Sequence, residues 1–347
     1  MKKYNVAILG ATGAVGTEFL QLMEERNFPF AELRLLASAR SAGTKIDFMG
    51  KTYTVEEATE HSFEGIDIAL FAGGSVSKFF APHAVKAGAV VIDNSSTFRM
   101  DPEVPLVVPE INPEAILRHK GIIANPNCST IIMVMALKPL HDLAKIRRVV
   151  VSTYQAVSGA GKEGIDELLD ETRAYLEDRP MEPKILPSAS LEKHYPIAFN
   201  LIPQIDVFKE NLYSKEEMKM IDETRKIMED PEMRITATTV RVPVFRSHSE
   251  SVNVEFEKDL DLEAMREAIR KFPGLQLMDD PQEQVYPMPL ETSGQDDCYV
   301  GRLRRDFSNP NTFNFWVVGD QIRKGAALNT LQIAETMIRN GWIEKKQ

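Results

Sequence analysis

Val6-Ala7-Ile8-Leu9-Gly10-Ala11-Thr12-Gly13-Ala14-Val15-Gly16 decides the fold. A short apolar run ends in glycines and passes at once into helical spacing, with Val15, Phe19, Leu22 and Met23 on one face. Strand, glycine turn and helix in that order make a cradle for a pyrophosphate. The glycines let the backbone turn tightly and approach the phosphates, and the helix N-terminus holds them. The spacing is GxxGxxG rather than GxGxxG, and a glycine-rich loop alone is also a common structural turn. Its place between a strand and a helix is what points to a dinucleotide, with Gly10, Thr12, Gly13, Ala14 and Val15 as the expected contacts.

Outward from this unit the pattern repeats. Residues 33–37, 66–71, 90–93 and 121–124 read as further strands. Ser75 is expected to cap a helix running to Ala87. Strands alternating with helices imply a Rossmann-type, doubly wound parallel sheet. The end of the second strand selects the cofactor, because NAD binders place an acid there for the ribose 2′-hydroxyl. This chain has Ala37-Ser38-Ala39-Arg40-Ser41, without an acid. Arg40 with the hydroxyls of Ser38 and Ser41 suits a 2′-phosphate, so NADP is expected. Gly73, after a later strand, falls where such a sheet lines its cofactor crevice.

After Lys145 the pattern changes. Residues 147–156 form a long β-rich run, and strand-like segments recur at 235–242, 251–256, 299–304 and 312–318, with helical stretches near 161–176, 214–228 and 262–271. This reads as an α+β second domain with a mostly antiparallel sheet. The proline-rich stretch 177–203 is expected to be irregular, and a last helix at about 325–340 to return to the first domain. The division expected is 1–127 plus about 325–347 for the NADP-binding domain, and 128–324 for the catalytic and dimerisation domain. A length of 347 residues suits two domains, and two cysteines fit a reducing compartment rather than a disulfide scaffold. No signal peptide or long apolar span is visible, so a cytoplasmic protein without a membrane partner is expected. A net charge of −10 disfavours nucleic acid while leaving room for an anionic substrate in a local cationic pocket. The histidines and cysteines lack metal-ligand spacing, so no metal is expected.

Cys128 stands in Asn125-Pro126-Asn127-Cys128-Ser129-Thr130, directly before the apolar run 131–137. Pro126 and Asn127 read as a turn and Ser129-Thr130 as the first turn of a helix. A thiol there faces unpaired N–H groups and the positive end of the helix dipole, which favours the thiolate. A buried structural cysteine is the competing reading. Cys298 has no helix start or basic neighbour and reads as structural. His248, in Arg246-Ser247-His248-Ser249-Glu250, is read as a loop histidine at a sheet end and a candidate proton acceptor. Arg241 precedes it on a strand, and Arg99 ends the polar stretch 93–99 that follows a strand of the first domain.

These residues lie in motifs that together resemble the aspartate-β-semialdehyde dehydrogenases over nearly the whole chain. The motifs are GATGAVG at Gly10, FAGGSVS at Phe71, DNSSTFRM at Asp93, NPNCST at Asn125, STYQAVSGAG at Ser152, RVPVFRSHSES at Arg241 and WVVGDQIRKGAALN at Trp316. The short-insert pattern is similar to the bacterial branch common in Gram-positive organisms. The resemblance implies a cytoplasmic homodimer that reduces L-aspartyl 4-phosphate to L-aspartate 4-semialdehyde and phosphate with NADPH, on the route to lysine, threonine, methionine and diaminopimelate. It makes Cys128 the nucleophile, His248 the general acid/base and Gln155 the group that orients the substrate. It assigns the substrate carboxylate to Arg241, the ammonium to Glu216, and phosphate to Arg99, Asn127 and Lys219. Ser158 and Gly159 would lie beside the nicotinamide and Gln321 would contact the cofactor, although the branch more often has Asn at that last position. Glu217 competes with Glu216, and the helical spacing of Glu216 and Lys219 favours the first. Two other readings remain: an N-acetyl-γ-glutamyl-phosphate reductase, whose acylated substrate needs no carboxylate for an ammonium, and a non-catalytic NADP-binding regulator.

Overall fold

The computed structural model describes residues 2–343. The chain divides into two compact units, one running to Asn127 and joined by the segment from Ala326, the other Cys128–Gly325. Among the described residues no helix is long and apolar enough to cross a membrane.

The first unit opens with β1 (Tyr4–Leu9), α1 (Ala14–Glu25) and β2 (Phe30–Ala37), followed by β3 (Lys45–Phe48), β4 (Lys51–Thr54) and β5 (Glu56–Glu57). β6 (Ile68–Phe71), α2 (Ser77–Ala87), β7 (Val90–Asp93) and β8 (Ile122–Ala124) complete it, with a C-terminal helix Leu328–Asn340. The sheet order is β5-β2-β1-β6-β7-β8, and every pairing is parallel. Parallel strands are covered on both faces, which is why β1 and β6 are near-continuous apolar runs. Val6, Ile8, Leu35 and Ile68 pack with Phe19, Leu22 and Met23 of α1 and with Leu331, Ile333 and Met337 of the C-terminal helix. Each such side chain contributes about 1.5–3 kcal/mol on burial. One local expectation is corrected. Ser75 does not cap α2: it lies in a 3-10 turn, Gly74–Val76, and the helix starts after it with no side-chain cap. The β3–β4 hairpin has no familiar turn dipeptide. Its turn places Met49 and Gly50 both at positive φ, 48° and 76°, where Asn-Gly is the usual pair.

The second unit contains α3 (Cys128–Leu143), β9 (Ile146–Gln155), α4 (Lys162–Leu176), α5 (Lys215–Ile227), β10 (Arg234–Arg241), β11 (His248–Phe256) and α6 (Leu262–Lys271). It continues through β12 (Leu275–Leu277), α7 (Pro289–Thr292), β13 (Cys298–Arg305) and β14 (Thr312–Gly319). Its sheet runs β10-β9-β11-β14-β13-β12. The three inner pairings are antiparallel, and the edge pairs β10/β9 and β13/β12 are parallel. β12 and α7 were not expected, being too short to show a period. α3 is buried from Ser129 to Leu137, as an all-apolar helix must be in water. The segment 177–203 holds no helix or strand, yet it is pinned. Glu167 accepts the N–H groups of Lys184, Ile185 and Leu186, and Glu171 those of Ile197 and Ala198.

The sheet register decides which side chains of the second unit share a face. Arg241 of β10 pairs with Gln155 of β9, and His248 of β11 with Gly319 of β14. Extending the β11/β9 register by one residue sets His248 opposite Gln155. Paired residues share a face, so Arg241, Gln155 and His248 form one polar row. Thr239, Thr153 and Glu250 form the next row on the same face. α3 and α5 pack over that face, bringing Cys128 and Glu216 to the first row.

Candidate active site

In the first unit the glycine loop lies between β1 and α1. Gly10 has φ +85°, and a Cβ on Gly16 would stand 2.2 Å from the Gly10 carbonyl oxygen, so neither position accepts a side chain. Gly13 is the N-cap of α1 and supplies no side-chain cap, so the first N–H groups of the helix face outward with Thr12, Ala14 and Val15 around them. Uncapped N–H groups beside a loop that tolerates close approach fit a pyrophosphate. At the end of β2, Ser38 and Arg40 are exposed, and Ser41 N–H closes a turn on the Ser38 carbonyl at 2.9 Å. β5 brings Glu56 and Glu57 beside Leu36 and Ala37, acids that chain order does not suggest. Gly73 follows β6 and opens the 3-10 turn. Arg99 is buried, and its guanidinium donates to the carbonyls of Asn125 at 3.0 Å and Asn94 at 2.8 Å. Asn127 is buried in the turn that ends this unit.

In the second unit, Cys128 is the first residue of α3 and its Sγ lies 3.4 Å from His248 Nε2. His248 is fully buried as the first residue of β11, not in a loop. Its other ring nitrogen, Nδ1, accepts the backbone N–H of Ala156 at 3.0 Å. The Ala156 carbonyl accepts Arg241 Nη1 at 2.7 Å, so one peptide group orients both side chains. Burial pushes the His248 imidazole down to about 3, Arg241 adds to that, and Glu216 opposes it. Arg241 is itself lowered by burial and held up by Glu216 and Cys128. Its Nε is buried without a hydrogen-bond partner among the protein groups, a donor that a ligand oxygen can satisfy. Gly159 must lack a side chain, because a Cβ there would stand 2.8 Å from Arg241 Nη1.

Glu216 resolves the one-residue ambiguity by geometry. Its carboxylate accepts Gln155 Nε2 at 3.4 Å and Lys219 Nζ at 3.0 Å, and Lys219 also meets Asp206 at 3.4 Å. Glu217 is occupied elsewhere. It closes a capping box with Ser214 at the start of α5 and accepts the Thr239 N–H of β10 at 3.1 Å. This clamp fixes the roll of α5 and turns Glu216 toward Gln155. Gln321 spans Ser247 N–H, accepting at 2.8 Å, and Ser158 Oγ. Gln321 thus links Ser247, the neighbour of His248, to Ser158. Glu250, unforeseen in the sequence, is fully buried with neither carboxyl oxygen hydrogen-bonded. Burial, aided by Glu216, holds it protonated well above the ordinary carboxyl range. Cys298 is buried in β13.

Thiol and imidazole, a buried guanidinium with a spare donor, and a carboxylate beside an ammonium can together hold a zwitterionic substrate against a nucleophile. Residues 5–119 match the family described as semialdehyde dehydrogenase, NAD binding domain, and residues 137–324 match semialdehyde dehydrogenase, dimerisation domain. The chain is similar to the aspartate-semialdehyde dehydrogenase of Synechocystis, 54% identical over 97% of this chain and 98% of that protein. It is 53% identical to that of Bacillus subtilis, over 96% and 97%. Among solved structures it is similar to aspartate semialdehyde dehydrogenase II of Vibrio cholerae complexed with ASA, with TM-score 0.92, 48% identity and coverage of 98% and 99%. It is also similar to the Candida albicans enzyme with NADP, with TM-score 0.75, 25% identity and coverage of 98% and 99%.

Proposed function

The chain belongs to the aspartate-semialdehyde dehydrogenase family, and from that premise we propose how its residues divide the work. The reaction is the reductive dephosphorylation of L-aspartyl 4-phosphate to L-aspartate 4-semialdehyde in amino-acid biosynthesis, and the first unit is its nicotinamide-dinucleotide-binding domain. Cys128 is the nucleophile and carries the aspartyl group as a thioester. The N-terminus of α3 and the charge of Arg241 favour its thiolate. Arg241 takes the substrate α-carboxylate, for which its unpartnered Nε offers a second donor beside the guanidinium's terminal nitrogens. Glu216, with Gln155 and Lys219 on its oxygens, takes the ammonium. Arg99, Asn127 and Lys219 serve the phosphate. His248, within hydrogen-bond reach of the sulfur, serves as the general acid/base.

The dinucleotide supplies the hydride when bound. Gly10, Thr12, Gly13, Ala14 and Val15 hold its pyrophosphate, Gly73 lines its crevice, and Ser158, braced by Gln321, and Gly159 stand at the nicotinamide end. Arg40, exposed beside Ser38 and Ser41, takes a 2′-phosphate, which makes the cofactor NADP. The protein acts in the cytoplasm as a homodimer. The outer face of the second sheet, where Tyr154 and Trp316 stack with ring centres 5.4 Å apart, forms the contact. A monomeric mass by light scattering would refute the dimer.

Arg241 carries this reading, as a buried cation with a free donor beside a thiol and a carboxylate. The test is oxidation of L-aspartate semialdehyde by NADP⁺ with and without phosphate, against N-acetylglutamate semialdehyde. Phosphate-dependent turnover of the aspartyl compound is expected. Equal rates without phosphate, or preference for the glutamyl compound, overturn it.

A further inference from the structure

We infer that Ser247 is a positioning residue for the reaction: held in a left-handed backbone conformation, it aims the start of β11 so that His248 meets the Cys128 sulfur. This rests on the reading of Cys128 and His248 as the working pair. β10 and β11 flank β9, the first parallel to it and the second antiparallel. Residues 242–247, which join Arg241 of β10 to His248 of β11, must therefore cross the end of β9 and reverse direction. Val157 N–H donates to the Val244 carbonyl at 2.8 Å and Ser158 N–H to that of Phe245 at 3.3 Å, which ties the crossing down as far as Phe245. The sharp re-entry falls on Ser247, at φ +73°. A residue with a Cβ rarely takes that conformation, because the Cβ crowds the following carbonyl oxygen. His248 is the next residue and is already paired with Gly319, so no slack separates the turn from the imidazole.

Gln321, Thr292 and Ser293 hold Ser247 there. Its N–H donates to Gln321 Oε1 at 2.8 Å. Its hydroxyl oxygen accepts Thr292 Oγ1–H at 3.0 Å and lies 3.4 Å from Ser293 Oγ, which also reaches the Arg246 carbonyl at 3.2 Å. Ser247 is fully buried, so these groups do what water does for an exposed turn. The clamps share an anchor in Asp320, which is also fully buried. One of its carboxyl oxygens accepts Arg246 Nε and the Gly294 N–H, and the other accepts the N–H groups of Ile322 and Arg323. A single carboxylate thus ties the residue before Ser247, the residue after Ser293 and the turn after Gln321. Strained backbone persists where its surroundings over-determine it, and such residues gather at working sites.

The imidazole is therefore fixed twice, by this turn through its backbone and by the Ala156 N–H on Nδ1. Relaxing Ser247 toward negative φ would swing the first residue of β11 and move Nε2 away from Cys128 Sγ, now 3.4 Å distant. Arg241 and Glu216 ride on β10 and α5, so the grip on the substrate does not pass through Ser247. Its loss should fall on kcat and on the thiol–imidazole pair rather than on binding.

The test compares Ser247→Gly with Ser247→Val in the full-length enzyme. Glycine deletes the hydroxyl but takes positive φ without strain; a β-branched residue takes it least readily. Ser247→Gly is expected to keep kcat within about threefold, with the wild-type pH dependence of Cys128 alkylation by iodoacetamide. Ser247→Val is expected to lose about 10²-fold in kcat and to shift that pH dependence, with KM for the semialdehyde and for the dinucleotide within about threefold of wild type. A Val variant with wild-type kcat and alkylation overturns the inference. So does a Gly variant as slow as the Val variant. If Ser247→Val fails to fold, Thr292→Val decides, because it removes the hydroxyl that donates to Ser247. It is expected to lower kcat by about three- to tenfold, and Ser247→Gly in the same chain to regain the loss. No loss, or a loss that glycine does not regain, overturns the inference. Normal turnover by Cys128→Ala would instead sink the reading of the pair, whatever the Ser247 variants do.

Discussion

His248 Nε2 meets Cys128 Sγ at 3.4 Å across 120 residues of chain. A thiol at a helix start thus lies within hydrogen-bond reach of a buried imidazole nitrogen. Cys128→Ala is expected to reduce kcat by on the order of 10⁴-fold or more. Dinucleotide affinity, measured by fluorescence titration, should stay within about twofold, because the expected dinucleotide contacts lie elsewhere. Near-normal turnover would remove Cys128 from the mechanism.

Arg241→Lys keeps the charge and loses the planar fork. Hydrogen bonds to a charged group contribute about 1.5–3 kcal/mol, so KM for the semialdehyde should rise about 10- to 100-fold. KM for the dinucleotide should not move. An unchanged semialdehyde KM would show that the carboxylate binds elsewhere.

Glu217 accepts Ser214 N–H at 2.7 Å and Thr239 N–H at 3.1 Å, one on each oxygen. An amide offers only one acceptor oxygen. Glu217→Gln is expected to lower stability by about 1–2 kcal/mol and to raise KM by loosening Glu216 and Lys219. Unfolding curves and steady-state kinetics would check both. A stability loss with normal KM would separate the clamp from substrate binding.

Glu250 gives a pH signature. Its folded carboxyl titrates well above its unfolded value near 4.3. Between those values the folded state holds a proton that the unfolded state has released. Stability is therefore lost as pH rises, by about 1.4 kcal/mol per pH unit. Glu250→Gln cannot titrate, so its stability relative to wild type should climb with that slope as pH rises past the unfolded value, until the folded carboxyl itself ionises. Denaturant titrations at several pH values would show it; a difference that stays flat would mean Glu250 is ionised or exposed.

Arg40 is tested by cofactor choice. Arg40→Ala should raise KM for NADP about tenfold or more and leave KM for NAD nearly unchanged. A parallel change in both would assign Arg40 to a role unrelated to the 2′-phosphate.

Much of this was legible in chain order because the signals are local. Gly10 to Gly16 must turn and cap within a few residues, and the strand–helix alternation around them repeats the same short-range constraints. Cys128 could be placed at a helix start from Pro126 and the apolar run that follows. Other features hid for identifiable reasons. Met49-Gly50 makes a hairpin with an uncommon residue at positive φ. Ser75 has the chemistry of a cap but lies in the turn before the helix. His248 looked like a loop residue between two strands, and it is the first residue of one.

The sequence by itself determined the two domain types, the helix start at Cys128 and the cast of charged residues, because periodicity, turn chemistry and motif order act over short distances. Only the tertiary structure decided how those residues act. Sheet register set Arg241, Gln155 and His248 in one row. The clamp on Glu217 turned Glu216 inward. Burial raised the Glu250 carboxyl, and the Ala156 peptide oriented both His248 and Arg241. Each of these depends on which backbone group or charge stands across from a side chain once water is gone. No single stretch of sequence states that neighbour.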